Sequence, residues 1–393
     1  MQFSKPFNAL LASVILTVYV GDVLAIPISH RPDSWPETNL TRRAAPIFSM
    51  PITTVAYDAA FHVKMSIGEN PRPFLLHLDS ASSDFWVYSA KCPQRGSHNG
   101  VSTAESTTFK EVSKAILDVN YQDGDGATGA GGLDTLLFAG QKVATPALEF
   151  GVAEEVFGRF PELAEDGVLG LGPPGFDDEP FEPFDPDDED EHLSPPFMQN
   201  LLAANVIPAK VTGWKLPRTK DVDSLGSLSF GGPDPAHFSA PFVTVKAAET
   251  NERNPVPWGI SVDAVSIDGA VAISTPVRGF VDFGTTNIVM SITEADTLNE
   301  KIPGAEKVSP GQWDIPCTTQ AVLALTIGGE VWPVDPRDLA YEPVEDSPGF
   351  CISNILGDGG VEDGRWILGG TFLKNVYTVL VEDSLEVGFA QPR

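Results

Sequence analysis

Basic residues are scarce in this chain. Its 393 residues hold 25 Lys and Arg against 54 Asp and Glu, a net charge of −29 at pH 7. That balance argues against nucleic acid and anionic membranes as partners, since both would repel it. It suits work at low pH, where protonated carboxylates ease self-repulsion, although an acidic surface also serves solubility alone. Long apolar runs are equally rare. Ala9 to Val20 is too short to span a bilayer and no later stretch reaches that length, so no membrane span is expected. Cysteine is limited to three residues, and nothing near Cys92 supplies a base that would activate a thiol. Helix signals are few; one runs from Thr293 to Lys301, with Thr293 as its expected N-cap. What the chain does have is 42% hydrophobic residues, with 36 Gly and 34 Pro punctuating short strand-like runs. The pattern favours an all-β architecture, and the length allows two lobes with separate cores.

Two stretches share one construction. Phe74-Leu-Leu-His-Leu-Asp-Ser-Ala-Ser-Ser-Asp-Phe-Trp-Val-Tyr88 is an apolar strand, a small polar turn carrying Asp79, and a second apolar strand. Small hydroxyl residues in such a turn let backbone N–H groups reach the carboxylate and fix its orientation. Gly279-Phe-Val-Asp-Phe-Gly-Thr-Thr-Asn-Ile-Val-Met290 repeats the arrangement around Asp282. Val168-Leu-Gly170 ends 91 residues after Asp79, and Ile367-Leu-Gly369 ends 87 after Asp282. The near-equal offsets indicate a duplicated domain.

From about Val55 to Ala390 the chain resembles the pepsin-like aspartic proteases. The motifs that carry the resemblance are the two Asp turns, Ser82-Ser-Asp-Phe-Trp-Val87, Tyr121 with its Gly-rich tail, Asp166-Gly-Val-Leu-Gly170, Trp366-Ile-Leu-Gly-Gly-Thr-Phe372 and Val387-Gly-Phe-Ala390. The resemblance implies a bilobal all-β fold with a cleft between two homologous lobes, about 44–228 and 229–393. It implies a secreted endopeptidase acting on proteins or peptides in acid, sensitive to pepstatin-like inhibitors, monomeric, without cofactor or metal. Asp79 and Asp282 would be the catalytic pair: one carboxylate ionised to take a proton from water, the other protonated to donate to the scissile carbonyl. Tyr121, Asp123, His77, Gly284 and Thr285 would meet substrate, and Ser80, Ser82 and Trp86 would support the site. A disulfide between Cys317 and Cys351 is also implied, which leaves Cys92 as a buried free thiol.

The remaining stretches fit that frame. Residues 1–25 read as a signal peptide, with Lys5, an apolar core and Val23-Leu-Ala25 at its end. Residues 26–43 read as a propeptide ending in Arg42-Arg43, so Ala44 is the expected mature start and the zymogen would lose the sequon at Asn39. Two strand signals around a Gly/Asp turn, Ile116 to Gly129, form a hairpin that the resemblance makes a flap over substrate. In 176–192 an acidic loop holds ten acidic residues among the fifteen of 177–191; Pro recurs, and the spacing shows no ordered set of cation ligands.

Departures from the family pattern sit at the turns. Asp79-Ser80-Ala81 and Asp282-Phe283-Gly284 replace the usual Asp-Thr/Ser-Gly. Phe283 has no hydroxyl with which to grip the opposite lobe, so Phe283→Thr is expected to raise activity or stability unless the surroundings have repacked around the ring. His77, two residues before Asp79, should project to the same side of its strand and be cationic in acid; a packed strand residue is as good a reading. Three functions are compatible with these residues: an active acid endopeptidase, a catalytically impaired relative that binds peptides or inhibitors, and a cell-wall or carbohydrate-binding β-protein. The third leaves the duplicated motifs unexplained.

Overall fold

A computed structural model describes residues 45–121, 124–138, 144–174, 192–193, 196–221, 225–247 and 258–393. The expected signal peptide, propeptide, Asn39 sequon, Asp123 and acidic stretch 177–191 lie outside these residues. The fold is all-β and bilobal, as expected, and no helix among the described residues is long and apolar enough to cross a membrane.

A fourteen-stranded sheet runs through the molecule, and three smaller sheets of five, four and four strands complete it. At one end of the large sheet the strands Phe238–Lys246, Glu386–Pro392, Tyr377–Val381, Val211–Lys215, Gly226–Phe230 and Phe48–Thr54 lie side by side. This platform joins the first half to the chain's C-terminal strands. One apolar core runs continuously from Phe48 and Phe61 to Phe372 and Phe389.

The duplication is visible in the strand pairing. In the first half Phe74–Asp79 lies parallel to Gly167–Gly170, which lies antiparallel to Phe85–Tyr88, which in turn lies parallel to Ala144–Phe157. In the second half Val277–Val281 lies parallel to Arg365–Leu368, next to antiparallel Ile288–Ser291 and parallel Ile355–Asp358. The apolar-apolar-Gly motif has a physical cause here. A Cβ on Gly170 would come 2.5 Å from the Asp84 carbonyl oxygen, and one on Gly369 would come 2.4 Å from the carbonyl oxygens of Asn287 and Thr285. Only glycine lets the second strand pass that close to each Asp-bearing turn.

Two local expectations meet different outcomes. Cys317 and Cys351 form a disulfide, and Cys92 is a buried free thiol whose ionisation burial disfavours. The helix spans Ile292–Asn299 and is capped by Ser291, not Thr293. The Ser291 hydroxyl accepts from the Glu294 N–H at 3.3 Å and donates to the Glu294 carboxylate at 3.1 Å. The first of these bonds satisfies a helix-end donor that Thr293, already inside the first turn, cannot reach.

Candidate active site

Asp79 and Asp282 end their strands at the seam between the lobes, 5% and 3% exposed. Their surroundings match group for group. Asp79 Oδ1 accepts the Ala81 N–H at 2.7 Å and Oδ2 accepts the Ser82 hydroxyl at 2.5 Å. Asp282 Oδ1 accepts the Gly284 N–H at 2.8 Å and Oδ2 the Thr285 hydroxyl at 2.5 Å. Thr285, expected on the substrate side, thus has the supporting position that Ser82 has in the other half.

Both Oδ1 atoms converge beside Gly284. A Cβ built there would lie 3.0 Å from Asp79 Oδ1 and 3.2 Å from Asp282 Oδ1. Ala81, at the matching place in the other turn, is not among the positive-φ residues, so its methyl imposes no backbone strain. Burial, and then the charge of Asp79, push the Asp282 carboxyl up to about 7. Two carboxylates this close and this dry cannot both ionise over the acid range.

Half of the grip between the lobes is present. Ser80 Oγ accepts the Phe283 N–H at 3.1 Å and donates to the Val281 carbonyl at 3.4 Å. The Trp258 indole N–H donates to the Ser80 carbonyl at 3.0 Å. The other half is replaced by packing. Phe283 is 1% exposed and stacks on Trp214, with ring centroids 4.0 Å apart and planes 14° from parallel. The surroundings have repacked around the ring, so the expected gain from Phe283→Thr gives way to a loss: threonine would leave a void against Trp214.

Tyr121 lies at the end of the strand Lys110–Asn120, and its backbone N–H donates to the Asp125 carbonyl at 2.8 Å across the hairpin. Its hydroxyl accepts the Trp86 indole N–H at 3.0 Å, and its ring meets Phe160 edge-on at 5.6 Å. Burial and the Asp79 charge push the phenol well above its ordinary value, so it remains a donor at any working pH.

Beside Asp79 lies a group that sequence reasoning found only in part. His77 faces His62 in the antiparallel register of Phe61–Ile67 with Phe74–Asp79, ring centroids 6.0 Å apart. Glu165 Oε1 is 2.7 Å from His62 Nε2 and 3.9 Å from His77 Nδ1. Burial holds the His77 imidazole below its usual range, the Glu165 charge opposing, which qualifies the expectation of a freely cationic side chain. The Asp79 carboxylate and Gly284 backbone are within its electrostatic reach, yet neither closes a hydrogen bond of normal geometry with it. Glu165 was missed because its two partners come from other strands; its place just before Asp166-Gly-Val-Leu-Gly170 was the available signal.

A two-lobed β-fold with two buried carboxylates, each held by one backbone N–H and one hydroxyl at the seam, defines the aspartyl-protease class. The family model for eukaryotic aspartyl proteases matches residues 60–392, and the chain belongs to that family. It is 30% identical over 316 residues to a probable aspartic-type endopeptidase CTSD of Arthroderma otae, covering 80% of this chain and 77% of that protein. Over 341 residues it is 28% identical to a protein of the same name from Arthroderma benhamiae, covering 86% of this chain and 62% of the relative's length. Rhizopuspepsin of Rhizopus chinensis is 27% identical over 348 residues, 88% of this chain and 82% of its own length.

Proposed function

We propose that this chain is an aspartic-type endopeptidase that hydrolyses peptide bonds in acid through a water held between Asp79 and Asp282. The observation that carries the reading is the matched support of two buried carboxylates converging beside Gly284, one of them biased strongly toward its protonated form. Asp282 is assigned the proton donated to the scissile carbonyl and Asp79 the base that takes a proton from water, the pair exchanging roles through the cycle. Tyr121, kept protonated and anchored by Trp86, is assigned to substrate closure, together with Asp123. Gly284 leaves the space in which the water and the scissile carbonyl must fit. The impaired-binder reading has less support, because Ser80 bonds across the two turns and Phe283 is housed against Trp214.

Protein or peptide substrates, a monomeric state and inhibition by pepstatin-like compounds follow from the same reading. The disulfide fits an oxidising compartment and hence export. The test is digestion of haemoglobin across pH 2–6 by the wild type, Asp79→Asn and Asp282→Asn, with and without pepstatin. Wild-type cleavage abolished by pepstatin and by either substitution is expected. Hydrolysis that survives either substitution would place the chemistry elsewhere.

A further inference from the structure

His62, His77 and Glu165 form a compact set of donors outside the hydrogen bonds that hold the two aspartates. One ring nitrogen of each histidine and a Glu165 oxygen lie within 4.8 Å of one another. The three residues are brought together by sheet register: His62 and His77 are cross-strand partners, and Glu165 precedes the strand Gly167–Gly170 that pairs with Phe74–Asp79. His62 and Glu165 are 1% and 6% exposed.

The cluster is polar, dry and under-bonded. Both ring nitrogens of His77 and Glu165 Oε2 are buried with no hydrogen-bond partner. Buried polar atoms are seldom left this way, because an unpaired one loses its hydration without recompense. Glu165 Oε1 already shares a 2.7 Å hydrogen bond with His62 Nε2, so the unused capacity lies on His77 and on Glu165 Oε2.

The donor chemistry selects the ligand. Two imidazoles and one carboxylate suit a borderline cation of the zinc class, and the imidazoles disfavour calcium and magnesium, which prefer oxygen. Donors about 2.0–2.2 Å from a tetrahedral ion lie about 3.3 Å from one another. The His62–Glu165 and His77–Glu165 separations, 2.7 and 3.9 Å, fall on either side of that spacing. Side-chain shifts below an ångström would equalise them.

We infer that His62, His77 and Glu165 form a divalent transition-metal site that takes one zinc-class ion per chain. His77 is two residues from Asp79 on the same strand, so a bound dication would sit beside the aspartate pair. The binding does not rest on the proposed catalytic reading.

The test uses the full chain stripped with a chelator, at pH 7, with 5 mM Mg2+ present to occupy surface carboxylates. Zinc is titrated against a chromophoric chelator, and cobalt(II) is added separately to read the d–d spectrum of its ligand field. Expected are one zinc per chain, visible cobalt bands of tetrahedral or five-coordinate intensity, and at least a tenfold weaker affinity in His62→Gln and Glu165→Gln. The cobalt spectrum of the wild type needs no variant, so it decides the matter even if a substitution fails to fold. Only octahedral-type weak bands, or zinc binding that is unchanged in folded variants, would assign the ion to surface carboxylates and overturn the site. Failure of proteolysis with stoichiometric zinc binding intact would overturn the catalytic reading alone.

Discussion

Replacing Asp282 with Asn should make this protein more stable at neutral pH. Asp282 is buried beside a second carboxylate, and its carboxyl rises from the ordinary 3.8 to about 7 in the folded chain. A folded state that holds the proton more tightly than the unfolded chain has this contribution in full below about pH 3.8. It loses it progressively until pH passes about 7. The distance between those values corresponds to about 4 kcal/mol, a large share of the 5–15 kcal/mol that keeps a typical domain folded. Asparagine is neutral throughout, and its carbonyl can still accept the Gly284 N–H, so the variant should not show this loss. Wild type and Asp282→Asn are unfolded with urea at half-unit steps from pH 3.5 to 7.5. Near pH 3.5 the two should agree within the cost of altered hydrogen bonds to Thr285. By pH 7.5 the variant should exceed the wild type by up to about 4 kcal/mol. Glu294 and Glu382 are also raised by burial, but they titrate in both proteins and cancel in the difference. A difference curve that is flat across this window would refute the argument that the Asp79–Asp282 pair holds a proton above the ordinary carboxylate range.

Other outcomes follow from single contacts. Phe283→Thr should cost about 3 kcal/mol in urea unfolding, because a ring stacked on Trp214 is exchanged for a partly filled void; equal or greater stability would mean that the hydroxyl restores more than the stack supplies. Gly284→Ala should lower kcat at least tenfold with little change in Tm, since its methyl enters the space bounded by the two Oδ1 atoms. Lys374→Met should destabilise by about 3–5 kcal/mol, leaving Asp58, 2.8 Å from the ammonium, buried without its cation, while Asp338 loses a 2.9 Å contact but keeps Arg218. Burial would raise Asp58 but Lys374 and Thr219 hold it low, so the stability it supplies is present above about pH 3.8 and fades as acid is added below that value; the variant's deficit, read by urea unfolding, should shrink there.

The parts of this site that could be read from the sequence are those fixed by backbone geometry within a few residues. An Asp turn with small neighbours, repeated at nearly equal offset from an apolar-apolar-Gly strand, announces itself because Gly170 and Gly369 have to pass within contact distance of the turns. Strand parity likewise put His77 on the side of Asp79. What parity cannot give is what the side chain meets, and here the sheet register answers: His62 comes from one neighbouring strand and Glu165 from the segment entering another. The same limit explains the misjudged Phe283. Judged by its own chemistry, a phenyl in place of a hydroxyl is a missing hydrogen bond. Its partner is Trp214, on the platform strand Val211–Lys215, and the stack houses the ring without supplying the hydroxyl. On the proposed reading the two turns need a fixed separation so that both carboxylates can face one water. Ser80 bonds across the two turns, and the Phe283–Trp214 stack holds the second turn against the platform. The substitution that looked most damaging in the sequence is therefore housed by packing, and the buried polar atoms beside Asp79 that lack a partner are those of His77 and Glu165.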